Sequence, residues 1–128
     1  MQAMVKPIAH PDADQIELSA VLDALSDPIR REIVLRLSEA GELRCGAFGD
    51  TSSKTNLTYH LARLREAGIL RIRCEGACRW SSLRTDELDG RFPGLLRAVL
   101  DAARLEGGAR LGEALVARDV SDEANPPR

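Results

Sequence analysis

The feature that most constrains the fold is a change of hydrophobic period at Gly68. Before this glycine, three leucines recur at spacings of four and three residues, at Leu57, Leu61 and Leu64. Such spacing places the side chains on one side of a helix, so the sequence predicts a helix over 54–67 with an apolar side and a polar side. A glycine is also the residue that most often follows the end of a helix.

After Gly68, apolar residues alternate with arginines, which indicates a β-strand that turns and returns as a hairpin over 69–84. A three-residue turn keeps the apolar side chains together, whereas a two-residue turn pairs Cys74 with Arg79. We expect the three-residue turn, because strand register follows the hydrophobic pattern. In that register the facing pairs are Cys74 with Cys78, Arg73 with Arg79 and Ile72 with Trp80.

Helical patterns lie on both sides of this central region. Asp27 followed by Pro28 is a strong helix start, because aspartate caps a helix and proline suits its first turn. The expected helices are one from Asp14, one from Pro28 that Gly41 ends, a short one over 43–48, the one over 54–67, which Ser52 or Ser53 caps, and a last one over 91–105. This order predicts a mainly α chain with a small β-hairpin, which is the α+β arrangement of a winged helix-turn-helix.

The chain has 128 residues, which is enough for one domain with a real core. We expect a flexible N-terminal arm over 1–13, the winged domain over 14–106 and a partly disordered C-terminal extension over 107–128. No apolar run approaches the about 20 residues that cross a bilayer, so no membrane partner is expected. Three cysteines without the apolar stretch of a secretion signal indicate reduced thiols and a cytoplasmic protein.

Charge is distributed unevenly along the chain, although the net charge is only −2. Residues 1–50 carry a net charge of −4, residues 51–85 carry +5, and residues 86–128 carry −3. A basic block of this kind is expected for a surface that meets a phosphate backbone, or for an ordinary solvated surface.

Catalytic and metal-binding patterns are missing from the sequence. It contains only two histidines, His10 and His60, which do not form a catalytic or zinc-binding cluster. No nucleophile–base pair, phosphate-binding glycine loop or carboxylate pair stands out. We therefore expect neither an enzyme nor a bound cofactor.

Two stretches, LSDPIRREIVLRL (25–37) and SKTNLTYHLARLREAGIL (53–70), resemble the signatures of the arsenical-resistance-repressor (ArsR) family. The resemblance covers about residues 18–103 and includes the hairpin. It implies a bacterial homodimeric repressor that binds a double-stranded DNA operator, with helix 54–67 in the major groove and hairpin 69–84 along the backbone. It also implies pairing of subunits through the first and last helices, at Val21, Leu22, Leu25, Leu95, Leu96, Val99 and Leu100.

The DNA-facing positions of the family fall on seven residues here, namely Ser53, Lys54, Thr55, Asn56, Thr58, Tyr59 and His60. Asn56 is chemically able to read adenine through two hydrogen bonds. Lys54 suits a phosphate contact, as do Arg63, Arg73 and Arg79, and such contacts supply affinity without sequence choice.

Sensing of an effector is left open by the resemblance. The family's histidine site on the last helix is absent here, and its Cys-x-Cys site is reduced to Cys45. Cys74 and Cys78, with Cys45 as a third thiol, are an alternative site for a metalloid or for oxidation. The effector is therefore unknown, and a winged-helix module that binds an acidic protein instead of DNA remains the second hypothesis.

Overall fold

A computed structural model gives the structure of residues 8–48 and 53–109. Along these residues the elements are α1 (Leu18–Ala24), α2 (Pro28–Ala40), β1 (Glu42–Arg44), α3 (Lys54–Glu66), β2 (Leu70–Glu75), β3 (Cys78–Leu83), α4 (Thr85–Arg91) and α5 (Leu95–Ala109). Short 3-10 turns cover Ala13–Gln15 and Cys45–Phe48. The chain is mainly helical with a small antiparallel sheet, so the predicted winged helix-turn-helix is confirmed. No helix in these two stretches is long and apolar enough to cross a membrane.

Side-chain caps start the two helices that the sequence marked most clearly. The Oδ1 atom of Asp27 accepts from two backbone N–H groups of the first turn of α2, at 2.8 and 3.1 Å. The Oγ atom of Ser53 accepts from the backbone N–H of Asn56 at 3.2 Å and caps α3. These hydrogen bonds satisfy N–H groups that have no partner inside the helix. Asp27 and Ser53 therefore fix where α2 and α3 begin.

Gly68 follows the end of α3, and this position requires a glycine for two separate reasons. Its φ is +88°, which L side chains rarely adopt. The backbone N–H of the next residue, Ile69, donates to the carbonyl of Leu64 at 3.0 Å and closes the helix end. A Cβ atom at position 68 would also lie only 2.5 Å from Cγ1 of Ile16. The close approach brings the segment before α1 against the end of α3.

The core lies where α2, α3 and α5 meet one face of the sheet. Helix α2 contributes Ile33, Val34 and Leu37, which are all at most 1% exposed. Phe48 from the 3-10 turn and Leu70 from β2 are fully buried beside them. This core holds α3 by its apolar side and leaves its other side at the surface.

The register of the hairpin differs from the predicted one. The turn has two residues, so Cys74 lies opposite Arg79, Arg73 opposite Trp80 and Ile72 opposite Ser81. Gly76 has a φ of +60° and the next turn residue, Ala77, does not have a positive φ, which are the signs of a type II′ turn. That turn matches the twist of the strands. The hydrophobic argument failed because Trp80 lies on the outer face and not with the core.

A third strand also enters the sheet, in the order β1-β3-β2. The prediction of a helix over 43–48 is wrong for its first part, because residues 42–44 pair with β3 as β1. Only Cys45–Phe48 is helical, as a 3-10 turn. A helix that the sequence did not predict, α4, follows the hairpin and buries Leu88. The last helix also differs from the predicted 91–105, because α5 begins at Leu95 and continues to Ala109.

Residues 8–13 form a packed strap and not the expected flexible arm. The backbone N–H of Ile72 donates to Nε2 of His10 at 3.0 Å, on the outer edge strand of the sheet. Arg84 donates to the carbonyl of Pro11 at 2.8 Å, and Arg65 donates to the carbonyl of Ala9. Hydrogen bonds from three elements hold the strap in place. The rest of the predicted arm, 1–7, and most of the predicted extension, 110–128, lie outside the described residues.

Candidate nucleic-acid interface

Helix α3 has one buried side and one exposed side, as the leucine spacing predicts. Leu57 and Leu61 are each 7% exposed and Leu64 is fully buried. The opposite side exposes polar residues, namely Ser53, Thr55, Asn56, Thr58 and Tyr59. The side chain of Lys54 lies outside the described part of the structure. The helix therefore presents a continuous row of hydroxyl and amide groups on a rigid support.

His60 does not lie on that exposed row, and its predicted placement there is wrong. Its side chain is only 8% exposed, and Nδ1 lies 3.2 Å from Nη1 of Arg30 in α2. His60 follows the buried Leu57 by three positions, so it lies on the same side of α3 and points toward α2. Arg30 is itself buried, and no sequence pattern marked it.

The basic block of the sequence is not a basic patch in space. Arginines of the block pair with acidic residues from the two flanking segments or from the block itself. These pairs are Arg63 with Asp23 at 2.7 Å, Arg71 with Glu87 at 3.0 Å, Arg73 with Glu42 at 3.1 Å and Glu75 at 3.0 Å, Arg84 with Glu87 at 2.6 Å and Arg65 with Glu66 at 4.0 Å. Hydrogen bonds from Arg84 lower the pKa of Glu87, as expected for a carboxylate inside such a pair. Neutralisation of this kind cancels most of the charge that the sequence suggested.

Arg73 illustrates the neutralisation on the hairpin. Its guanidinium donates to both carboxylate oxygens of Glu42, at 3.2 and 3.1 Å, and to Glu75 at 3.0 Å. It also lies 5.6 Å from the centroid of the Trp80 ring. Hydrogen bonds that Arg73 donates to the carboxylates of Glu42 and then Glu75 raise its pKa. The cluster joins all three strands on the outer face of the sheet, so this arginine has a structural role there.

Two other arginines of the sheet have no such partner among the residues that the structure describes. Arg79 lies near the hairpin turn on the same face as Ile72, and it forms no ion pair with any described acidic residue. Its charge acts on Cys45, which places it beside the first part of the helix-turn-helix unit. Arg44 of β1 is exposed, with its guanidinium 4.0 Å from the sulfur of Cys78. Sequence reasoning missed Arg44, because only the pairing of β1 brings it onto the sheet.

Comparison with known proteins agrees with this geometry. Residues 25–73 match the family model of a helix-turn-helix domain, and this stretch runs from the start of α2 into β2. The chain is also similar to the uncharacterized HTH-type transcriptional regulator YceK of Bacillus subtilis (strain 168). The two are 37% identical over 89 residues, which are 67% of this chain and 88% of the relative. The chain belongs to the helix-turn-helix transcriptional regulators.

As a helix-turn-helix regulator the protein is a DNA-binding protein, and α3 is the second helix of its motif. In such proteins the second helix lies in the major groove and its N-terminal residues contact base edges. In this chain, Thr55 and Asn56 are the exposed residues at the N-terminal end of α3, directly after the cap at Ser53.

The thiols of this helix-turn-helix regulator do not form the predicted facing pair. Cys74 lies opposite Arg79 and Cys78 lies opposite Glu75, so the two cysteines point to opposite faces of the hairpin. Burial raises the pKa of Cys45, which favours the thiol over the thiolate. No group of three metal-ligating side chains occurs within 8–48 and 53–109. The facing Cys74–Cys78 geometry on which the thiol hypothesis depended is therefore wrong.

The residues predicted for subunit pairing divide into two groups. Val21, Leu25, Leu96 and Leu100 are at most 7% exposed and fill the core of the protomer itself. Their burial corrects that part of the prediction. Leu95 and Val99 are half-buried, and Leu22 is 47% exposed. Two leucines that the sequence did not single out, Leu18 and Leu105, are 46% and 80% exposed on the same two helices.

Proposed function

We propose that the protein is a homodimeric, sequence-specific DNA-binding repressor of the ArsR family that acts in the cytoplasm on a double-stranded operator. The observation that carries the proposal is the two-sided α3, whose leucines are buried while its hydroxyl and amide groups face solvent. The exposed groups begin at the N-terminal end of α3, which is the part of the second helix that contacts base edges in helix-turn-helix proteins.

Each exposed group on α3 has a proposed role in the major groove. Asn56 reads an adenine through two hydrogen bonds, and Thr55 or Thr58 contacts a base edge or a thymine methyl group. The first backbone N–H groups of α3, next to Ser53, bind a phosphate together with Lys54. On the hairpin, Arg79 and Arg44 bind phosphates, since neither has an acidic partner among the described residues. Arg73 is excluded from this role because two carboxylates hold it.

The homodimer is proposed from the exposed leucines of α1 and α5, namely Leu18, Leu22 and Leu105. Large apolar side chains that are 46–80% exposed on two helices favour burial against a second copy. A dimer with twofold symmetry places its two recognition helices in half-sites about 34–36 Å apart.

The proposal is tested by a mobility-shift titration with DNA from upstream of the protein's own gene and with a scrambled duplex of equal length. We expect the wild type to bind the upstream DNA at least about 10³-fold more tightly than the scrambled duplex. Asn56→Ala is expected to reduce this ratio about tenfold, through the loss of one bidentate contact. Thr85→Ala, at the start of α4, is the control and keeps the ratio. Equal affinity for both duplexes contradicts the proposal.

A second candidate is a winged-helix module that binds an acidic protein. Its support is the acidic balance of the whole chain, whose net charge of −2 disfavours contact with DNA. Such a module forms no complex with either duplex even at low salt, where charge contacts with phosphate are strongest. The same titration therefore separates the two candidates.

A further inference from the structure

A buried arginine in α2 connects three helices. Arg30 in α2 is only 7% exposed, although burial of a charge is costly unless the group is fully hydrogen-bonded. Its Nε donates to the carbonyl of Ala24 at 2.6 Å, its Nη2 approaches the carbonyl of Asp23 at 3.4 Å, and its Nη1 lies 3.2 Å from Nδ1 of His60. No acidic side chain in 8–48 or 53–109 forms an ion pair with it. The three acceptors therefore have to compensate this charge.

The chemistry of this contact fixes the state of His60. A guanidinium only donates hydrogen bonds, so Nδ1 of the imidazole has to accept. This hydrogen bond therefore requires the tautomer of His60 that carries its hydrogen on Nε2. An asparagine at position 60 keeps an acceptor in the place of Nδ1, whereas a leucine of similar size removes it. This difference separates the acceptor from the bulk of the ring.

The two carbonyls that Arg30 binds belong to the C-terminal end of α1. The last carbonyls of a helix have no partner inside it, and a cation there is favoured by the helix dipole. A second link joins α3 to the same place, because Arg63 pairs with the carboxylate of Asp23 at 2.7 Å. A third fixes α2, where Arg31 donates to the carbonyl of Leu25 at 2.8 Å. The end of α1 is thereby tied to α2 and to α3 by polar contacts.

We propose that His60 is a positioning residue for DNA recognition, which acts through Arg30 to hold α3 at a fixed place relative to the end of α1. This inference rests on the proposed function, because α1 carries the exposed Leu22 of the proposed subunit contact. Since α1 is shared with the partner and α3 lies in the groove, the link sets the separation of the two recognition helices. The dimer can then bind two half-sites of the matching spacing at the same time, although His60 itself does not contact DNA.

The distinguishing quantity is the ratio of affinities for a duplex with two correctly spaced half-sites and a duplex with one. His60→Leu is expected to lower this ratio about tenfold, because one helix has lost its fixed position and the arginine has lost an acceptor. His60→Asn is expected to restore the ratio to within about threefold of the wild type. The salt dependence of binding stays unchanged in both variants, since neither removes a phosphate contact.

Each result decides the question. A direct base contact by His60 is indicated if asparagine and leucine lower the affinity for the single half-site equally, and the positioning role is then refuted. An unchanged ratio in His60→Leu also refutes it.

A second measurement on the wild type does not depend on any variant folding. A long-range ¹H–¹⁵N spectrum of the free protein at neutral pH reports the tautomer of His60. Hydrogen on Nε2 supports the link, and hydrogen on Nδ1 or on both nitrogens overturns it. If the wild type binds all duplexes with equal affinity, the repressor proposal fails. The tautomer of His60 still tests the contact with Arg30 in that case.

Discussion

The replacement of Arg79 or Arg73 by alanine is the sharpest test of how the hairpin meets DNA. Both arginines lie on the same hairpin and carry the same charge, so each variant is a matched control for the other. They differ in their surroundings, because Glu42 and Glu75 hold Arg73 while Arg79 has no acidic partner in the described residues. We expect only Arg79→Ala to remove a phosphate contact.

The size of the effect follows from counterion release. Each phosphate contact contributes about 0.9 to the slope of log K against log salt concentration. A dimer loses two contacts in Arg79→Ala, so the slope falls by about 1.8. When salt rises from about 50 to about 200 mM, a slope that is smaller by about 1.8 means that the variant loses about tenfold less affinity than the wild type. Arg73→Ala removes no phosphate contact, because Arg73 is held by Glu42 and Glu75, so its slope is expected to stay close to that of the wild type.

Fluorescence anisotropy of a labelled upstream duplex, titrated at three or more salt concentrations, measures both slopes. The reasoning is refuted if Arg73→Ala reduces the slope as much as Arg79→Ala does, because the carboxylates then do not hold Arg73 when DNA is present. If neither variant changes the slope, the hairpin does not touch the phosphate backbone. Circular dichroism spectra of both variants serve to exclude loss of fold.

Three further predictions concern stability and assembly. Gly68→Ala is expected to lower the free energy of unfolding by about 3 kcal/mol in a denaturant titration, since it combines a positive φ with a clash against Ile16. Gly76→Ala, with a φ of +60° and open space around it, is expected to cost only about 1–2 kcal/mol, and equal losses would contradict the account. Burial and then the charges of nearby arginines hold the pKa of His10 below its ordinary 6.5. As the pH drops below about 6.5 toward the lower pKa of folded His10, the unfolded chain binds more protons than the folded chain does. The free energy of unfolding therefore falls over this pH range. His10→Gln, which keeps an acceptor, is expected to flatten this part of the pH–stability curve, and an unchanged curve would rule His10 out. Leu22→Glu is expected to convert a dimer to a monomer in analytical ultracentrifugation, and a dimer that persists would exclude α1 from the contact.

Local chemistry was predictable from the sequence wherever neighbouring residues decide the outcome. The cap at Asp27, the cap at Ser53 and the end of α3 at Gly68 involve residues within five positions of one another. The buried side of α3 follows from a spacing of three and four residues, which repeats in every helix. The fold class, the recognition helix and most of its exposed side chains are therefore properties of short stretches.

Partners that are distant in the sequence were not predictable in this way. Arg63 is 40 residues from Asp23, Arg73 is 31 residues from Glu42, and His60 is 30 residues from Arg30. A net charge counted along the chain takes no account of such pairs, so the basic block looked like a surface patch. The helix α4 was also missed, since its only buried leucine depends on contacts outside the segment.

The sequence by itself determined which segments become helices and strands, because hydrogen bonds and spacing within a few residues decide those elements. Only the tertiary structure decided which charges remain available to DNA, which group His60 contacts, and where the hairpin turns. Each of these depends on groups that folding brings together from separate parts of the chain. Charge and hydrogen bonding act through space, and the distance along the chain does not limit them.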